Sequence, residues 1–161
     1  MKEKNRVVRM ETSKGTMTLE LYAARAPKTV ERFMVAVNTS KYDGLKFHRI
    51  IKDFMVQGGD PQGTGAGGGN VKFEGSDVKH VPGVISMAAQ QVHVDQSDMQ
   101  FFIMTSTSDQ LDGSYTAFGH VTEGMDVLAA IAATPVAQAP WGERSRPVVD
   151  VRIVKVSAIL D

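Results

Sequence analysis

The chain has 161 residues, enough for one domain with a sizeable core, and its 18 Lys and Arg balance its 18 Asp and Glu to a formal net charge of zero. That balance argues against the basic excess of a nucleic-acid binder and against an acidic solvating tail. Cysteine is absent, which removes disulfides, a thiolate nucleophile and any cysteine metal site.

Met1-Lys2-Glu3-Lys4-Asn5-Arg6 leads into Val7-Val8-Arg9 rather than into an uninterrupted apolar segment. Neither a signal peptide nor a membrane span is expected, and a cytoplasmic location follows as the expectation. Val8, Met10 and Thr12 alternate with charged neighbours, Ser13-Lys14-Gly15 supplies a turn, and Met17, Leu19 and Leu21 alternate again. This predicts an opening β-hairpin. Pro27 suits the first turn of a helix, and Val30, Phe33, Met34 and Val37 form an amphipathic stripe ending near Asn38.

Lys46–Ile51 and Asp53–Gln57 read as strands, followed by a glycine-rich loop over residues 61–70. Further strands are predicted at Gly83–Ala88, Gln100–Met104 and Ala117–Thr122, and a second helix at Met125–Ala132, stopped by Pro135. Val148–Val156 reads as a closing strand whose alternation slips near Ile153-Val154, as at a bulge. Many short strands with two helices predict a mostly β fold: a closed antiparallel barrel in one domain over residues 1–161.

Alternation puts Met55 and Gln57 on one strand face and Phe47, Arg49 and Ile51 on one face of the neighbouring strand. If these strands pair, Arg49, Met55 and Gln57 converge on an apolar groove holding one cation and one amide. Such a groove suits gripping a peptide better than hydrolysing one. In Gln100-Phe101-Phe102-Ile103-Met104, Phe101 and Ile103 read as core, whereas Gln100, Phe102 and Met104 read as a groove wall.

Gly63-Thr64-Gly65-Ala66-Gly67-Gly68 matches a dinucleotide fingerprint, but Gly69-Asn70-Val71-Lys72-Phe73 after it cannot be the required helix. Nucleotide binding is therefore the weakest hypothesis, and a loop beside a site the better reading. His48, His80, His93 and His120 lack ligand spacing, so no metal and no cofactor are expected. His48 reads as core or support. No Ser–His–Asp arrangement declares itself in the sequence.

Ala26-Pro27-Lys28-Thr29-Val30, Phe47-His48-Arg49-Ile50-Ile51 and Phe54-Met55-Val56-Gln57-Gly58-Gly59-Asp60 stand in order along the chain. Gly63-Thr64-Gly65, Ser86-Met87-Ala88, Gln100-Phe101-Phe102-Ile103, Leu111-Asp112-Gly113 and Phe118-Gly119 continue the series. From about residue 7 to about residue 157, this pattern resembles the cyclophilins, the peptidyl-prolyl cis–trans isomerases, in a bacterial-type form. The resemblance implies an eight-stranded antiparallel β-barrel capped by two α-helices. It implies isomerisation of X–Pro bonds in unfolded or flexible chains, assisting folding, without covalent intermediate or cofactor.

By the same resemblance Arg49 is the catalytic residue, and Phe54, Met55, Phe102 and Leu111 receive the proline ring. Gln57 hydrogen-bonds the substrate backbone, and Gln100, Ala88, Ala89 and Gln90 line the groove. Tyr115 stands where many members carry histidine, and Ala89 where many carry asparagine. The Ala89–Met99 loop departs from the family pattern. Gln110 replaces the tryptophan of cyclosporin-sensitive members, so weak cyclosporin binding is expected, along with a monomer that engages neither nucleic acid nor membrane. The alternative is a proline-peptide-binding or chaperone module of the same fold with little turnover.

Overall fold

The structure is a computed structural model that describes residues 4–64, 67–75, 77–89 and 95–159. Its centre is one eight-stranded sheet built from β1 (Arg6–Thr12), β2 (Gly15–Leu21), β3 (Arg49–Ile51), β4 (Met55–Gly58), β6 (Val84–Met87), β8 (Phe101–Met104), β9 (Ala117–Glu123) and β12 (Ile153–Ile159). The spatial order is β12-β1-β2-β9-β6-β8-β4-β3, with every pairing antiparallel. The run-ins to the two outer strands close the curl: Lys46 bridges Arg152, Phe47 N–H donates to Val151 O at 2.8 Å, and Ile153 N–H donates to Leu45 O at 2.7 Å.

Two smaller pairs lie outside this sheet: β5 (Asn70–Val71) with β7 (Gln96–Ser97), and β10 (Val136–Gln138) with β11 (Arg144–Pro147). The sequence reading contains neither. The predicted closing strand is also shifted, because β12 starts at Ile153. Val148 and Val149 read as strand residues but are exposed, at 63% and 74%. The expected bulge is present: Thr12 pairs with Ile153 and Glu11 with Lys155, leaving Val154 extra.

Helices α1 (Pro27–Asn38) and α2 (Met125–Ala132) match their predicted spans. Pro27 opens α1 where its missing N–H costs nothing, but Ala26 offers no side-chain cap. Glu74 supplies the cap from a distant loop, its carboxylate accepting from Thr29 N–H at 2.7 Å and Lys28 N–H at 3.1 Å. A carboxylate at a helix N-terminus satisfies orphan donors and the positive dipole end together.

The α1 stripe is buried inside the barrel, where the Phe33 ring meets Tyr42 at 5.1 Å, Phe118 at 5.4 Å and Phe101 at 6.3 Å. Removing that ring leaves a cavity and costs on the order of 3–5 kcal/mol. Register then sorts the residues by face. Ile50, Val56, Ile103 and Ile85 form one row across β3, β4, β8 and β6, and all are buried in this inner core. Their neighbours in sequence point outward.

Candidate active site

The adjacent row is Arg49, Gln57, Phe102 and Ser86, opposite one another across the same four strands. Two positions along lie Ile51, Met55 and Met104. Met55, Phe102, Met104, Val84 and Ala117 make a second apolar cluster, with Ile51, Phe54, Ala88, Leu111 and Tyr115 packed on it. The outer face of a four-strand patch thus carries its own small core, open on one side. The opening is a cleft of about 210 Å³ lined by Arg49, Phe54, Met55, Gln57, Ala88, Ala89, Phe102, Leu111 and Tyr115.

One facing assignment is corrected. Phe47 does not share the face of Arg49 and Ile51; it is fully buried in the inner core, edge-on to Phe101 at 6.0 Å. Residues 46 and 47 pair with the 151–152 segment, whereas β3 pairs with β4 only from Arg49 onward. The chain changes partner at His48, and strict alternation is lost there.

Phe102 forms the floor and is held from two directions. The His80 ring stacks on it with centroids 5.9 Å apart, and Tyr115 meets it edge-on at 5.7 Å. His80 in turn lies between Asp112 (Nδ1 to Oδ1, 3.0 Å) and Ser86 (Nε2 to Oγ, 3.1 Å). The fold therefore assembles a Ser–His–Asp chain that the sequence reading did not find. His80 and Ser86 are fully buried, so this serine cannot reach a substrate carbonyl. The chain is a brace for Phe102, not a hydrolytic triad. Burial holds His80 below the ordinary imidazole range, while its hydrogen bond to Asp112 opposes that shift.

Arg49 is held by three bonds. Its Nε and Nη2 donate to Glu143 Oε1 and Oε2 at 2.8 and 2.9 Å, and its Nη1 donates to Gln57 Oε1 at 3.0 Å. A guanidinium retains one further N–H on each Nη after these. Hydrogen bonding from Arg49 lowers the Glu143 carboxyl to about 2 against the opposing effect of burial, and the Trp141 indole adds to the lowering. The bonding continues from Gln57 Nε2 to Gln100 Oε1 at 3.3 Å and from Gln100 Nε2 to Gly67 O at 3.1 Å. The direction of the guanidinium is thereby tied to the glycine-rich loop. That loop runs into β5 rather than a helix, so the dinucleotide fingerprint lacks its phosphate-binding element.

Sequence reasoning missed Glu143. It sits at the end of the β10–β11 connection, 94 residues from Arg49, with no local pattern marking it. Of the expected groove residues, Gln100 stands behind Gln57 rather than in the cleft wall. Gln110 is exposed on a short 3-10 turn (Asp109–Leu111) and does not line the cleft. Gln90 lies outside the described residues, as does part of the Ala89–Met99 loop. Among the described residues no cluster of His, Asp and Glu is suited to a metal, and no helix is long and apolar enough to cross a membrane.

The sequence profile of the cyclophilin-type peptidyl-prolyl cis–trans isomerases matches residues 7–158. A protein of Neurospora crassa named peptidyl-prolyl cis–trans isomerase-like 1 is 43% identical over 159 residues, covering 94% of this chain and 93% of its own length. The human protein of the same name is 41% identical over 155 residues, covering 92% and 89%. A Cryptosporidium parvum cyclophilin-type isomerase superposes with a TM-score of 0.90 at 28% identity, covering 98% of this chain and 99% of its own. Its structure in the presence of the dipeptide Ala-Pro gives 0.88 at 29% identity, covering 96% and 99%.

Proposed function

Because this chain belongs to the cyclophilin-type peptidyl-prolyl cis–trans isomerases, we propose that Arg49 is its catalytic residue and that the cleft beside it receives the proline. Amide resonance sets a rotation barrier of roughly 18–20 kcal/mol, and uncatalysed X–Pro exchange takes tens to hundreds of seconds. Twisting the bond ends the resonance and leaves a lone pair on the proline nitrogen. A donor aimed at that lone pair binds the twisted state better than either planar isomer, and that difference is the acceleration. Each 1.36 kcal/mol of preference is worth about tenfold in rate.

The observation that carries this reading is the clamped guanidinium of Arg49 at the lip of an apolar cleft. Phe54, Met55, Phe102 and Leu111 offer the surface a pyrrolidine ring would bury. Gln57 fixes Arg49 through its oxygen and faces the cleft beside it. Ala88 and Ala89 form the opposite lip, where Ala88 O is taken by Ser97 N–H at 2.8 Å. Among the described residues Ala89 has no backbone partner, which leaves its amide for a substrate strand. Glu143 is the positioning residue for Arg49.

In this reading residues 1–161 act as a single isomerase domain, monomeric and cytoplasmic, on unfolded or flexible proline-containing chains. Cyclosporin binds weakly, because Gln110 offers no indole to pack against. The test is cis–trans exchange of a short Ala-Pro peptide by NMR, with wild type and Arg49→Ala side by side. Fast exchange that collapses in the variant is expected. Undiminished exchange in Arg49→Ala would remove Arg49 from the chemistry. Peptide binding with background exchange in the wild type would favour a recognition module.

A further inference from the structure

A second recess, of about 240 Å³, is bordered by the residues just ahead of β3. Its walls include Lys46, His48, Thr64, Trp141, Arg146 and Pro147. Three features of it are unused by the reaction above. Lys46 and Arg146 have no ion-pair partner among the described residues, and no carboxylate lines the recess. The nearby acids are occupied: Asp60 accepts from the backbone N–H groups of Gln62 and Thr64, and Glu143 is clamped on Arg49. Trp141, the chain's one tryptophan, is 65% exposed, with Pro140 and Pro147 beside it in the wall. Among the described residues, Nδ1 of His48 is buried without a hydrogen-bond partner.

Two uncompensated cations beside an exposed indole face are complementary to an anionic group on an apolar stem. The recess is linked to the peptide cleft through Glu143, which holds Arg49 on one side and takes a hydrogen bond from the Trp141 indole on the other. We propose that it is a second subsite for the substrate chain itself, taking an anionic side chain, either the carboxylate of Asp or Glu or a phosphorylated hydroxyl. This rests on the reading of the Arg49 cleft as the proline site. The position of the anionic residue relative to the proline is set by the spacing of the two recesses, at about 3.3 Å of extended chain per residue. The neutral overall charge of the protein makes the attraction local to this recess rather than a field over the whole surface.

The test uses Ala-Pro peptides in which one Glu is walked from four residues before the proline to four after it. Gln and phosphoserine counterparts are prepared at each position. Affinity is read by NMR titration and by quenching of Trp141, and exchange is read on the same samples. At one or two adjacent positions Glu should bind about two- to fivefold tighter than Gln at low salt. The gap should close near 0.5 M salt and in the Lys46→Gln/Arg146→Gln double variant, which should still accelerate the Gln peptide normally. Discrimination by phosphoserine without discrimination by Glu assigns the site to a modified hydroxyl. Equal affinity of all three peptides at every position overturns the subsite, and so does a double variant that weakens Gln and Glu peptides alike. Absent acceleration of the Gln peptide by the wild type would instead overturn the proline-cleft reading.

Discussion

Replacing Glu143 tests whether Arg49 acts as a held donor or merely as a nearby charge. The two are linked by parallel bonds of 2.8 and 2.9 Å, with Gln57 supplying the third contact at 3.0 Å. Both side chains are about one-third exposed (33% and 29%), so solvent screening discounts the pair relative to a buried one. Glu143→Gln keeps one acceptor oxygen in nearly the same volume but presents an amide NH2, itself a donor, to the second N–H. The loss of one charge-assisted bond, discounted for exposure, is about 1 kcal/mol of orientation, or roughly a fivefold fall in kcat. Glu143→Ala removes both bonds, costing about 2 kcal/mol or roughly thirtyfold. Because peptide binding is dominated by the apolar cleft, KM should change by less than about twofold. The assay is exchange kinetics on the Ala-Pro peptide over a range of concentrations. An unchanged kcat in both variants would refute the positioning role. A loss confined to KM, or a gain in kcat on removing the carboxylate, would do the same. The pH profile adds a check. With its carboxyl at about 2, below the usual 4.5, Glu143 contributes fully above pH 4.5, and its contribution is lost only as pH falls toward 2. An acid limb in kcat near pH 4.5 that disappears in Glu143→Gln would show that the carboxyl is not clamped.

Two stability predictions follow from the same frame. Burial holds His80 and His48 below the ordinary 6.5, so the unfolded chain takes up protons first as pH falls below about 6.5. Stability should decline from there toward the folded-state values, by at most about 1.4 kcal/mol per pH unit for each histidine. A urea midpoint that does not fall between pH 7.5 and 5.5, or that falls equally in His80→Gln, would contradict this. Gly59 has φ +86°, and a Cβ there would come within 2.7 Å of Met99 O and 2.9 Å of the Tyr42 and Phe101 rings. Gly59→Ala should therefore cost about 2–4 kcal/mol and visibly lower Tm; an unchanged melt would refute the packing described.

Alternation carried the sequence reading wherever a strand kept one partner. It separated Phe101 and Ile103 from Phe102 and Met104, grouped Met55 with Gln57, and located the slip at Val154. The same signal failed at Phe47, where the chain leaves the 151–152 segment for β4 and two successive side chains turn the same way. It also failed at Val148 and Val149, which have strand-forming but exposed side chains, and where Val148 N–H joins Pro135 O at the end of the β10–β11 pair instead of entering β12. Glu143, the Glu74 cap on α1 and the His80 brace share a different cause. Each is a polar group whose partner lies far away in sequence, and only the closed fold decides which distant groups meet. The resemblance supplied Arg49 and the cleft, but it carried no information on the carboxylate that this chain sets against them.

The separation of Arg49 from Glu143 by 94 residues also has a meaning in time. At ribosomal rates of about 5–20 residues per second, the arginine is made roughly 5–20 s before the carboxylate that orients it. The seam joining residues 44–47 to residues 151–153 is synthesised later still. From the synthesis of Tyr115 to that of Glu143 the nascent chain carries every apolar wall of the proline cleft but not the carboxylate that clamps the donor. The donor is therefore fully oriented only after the chain has passed Glu143, and the seam at residues 151–153 follows it.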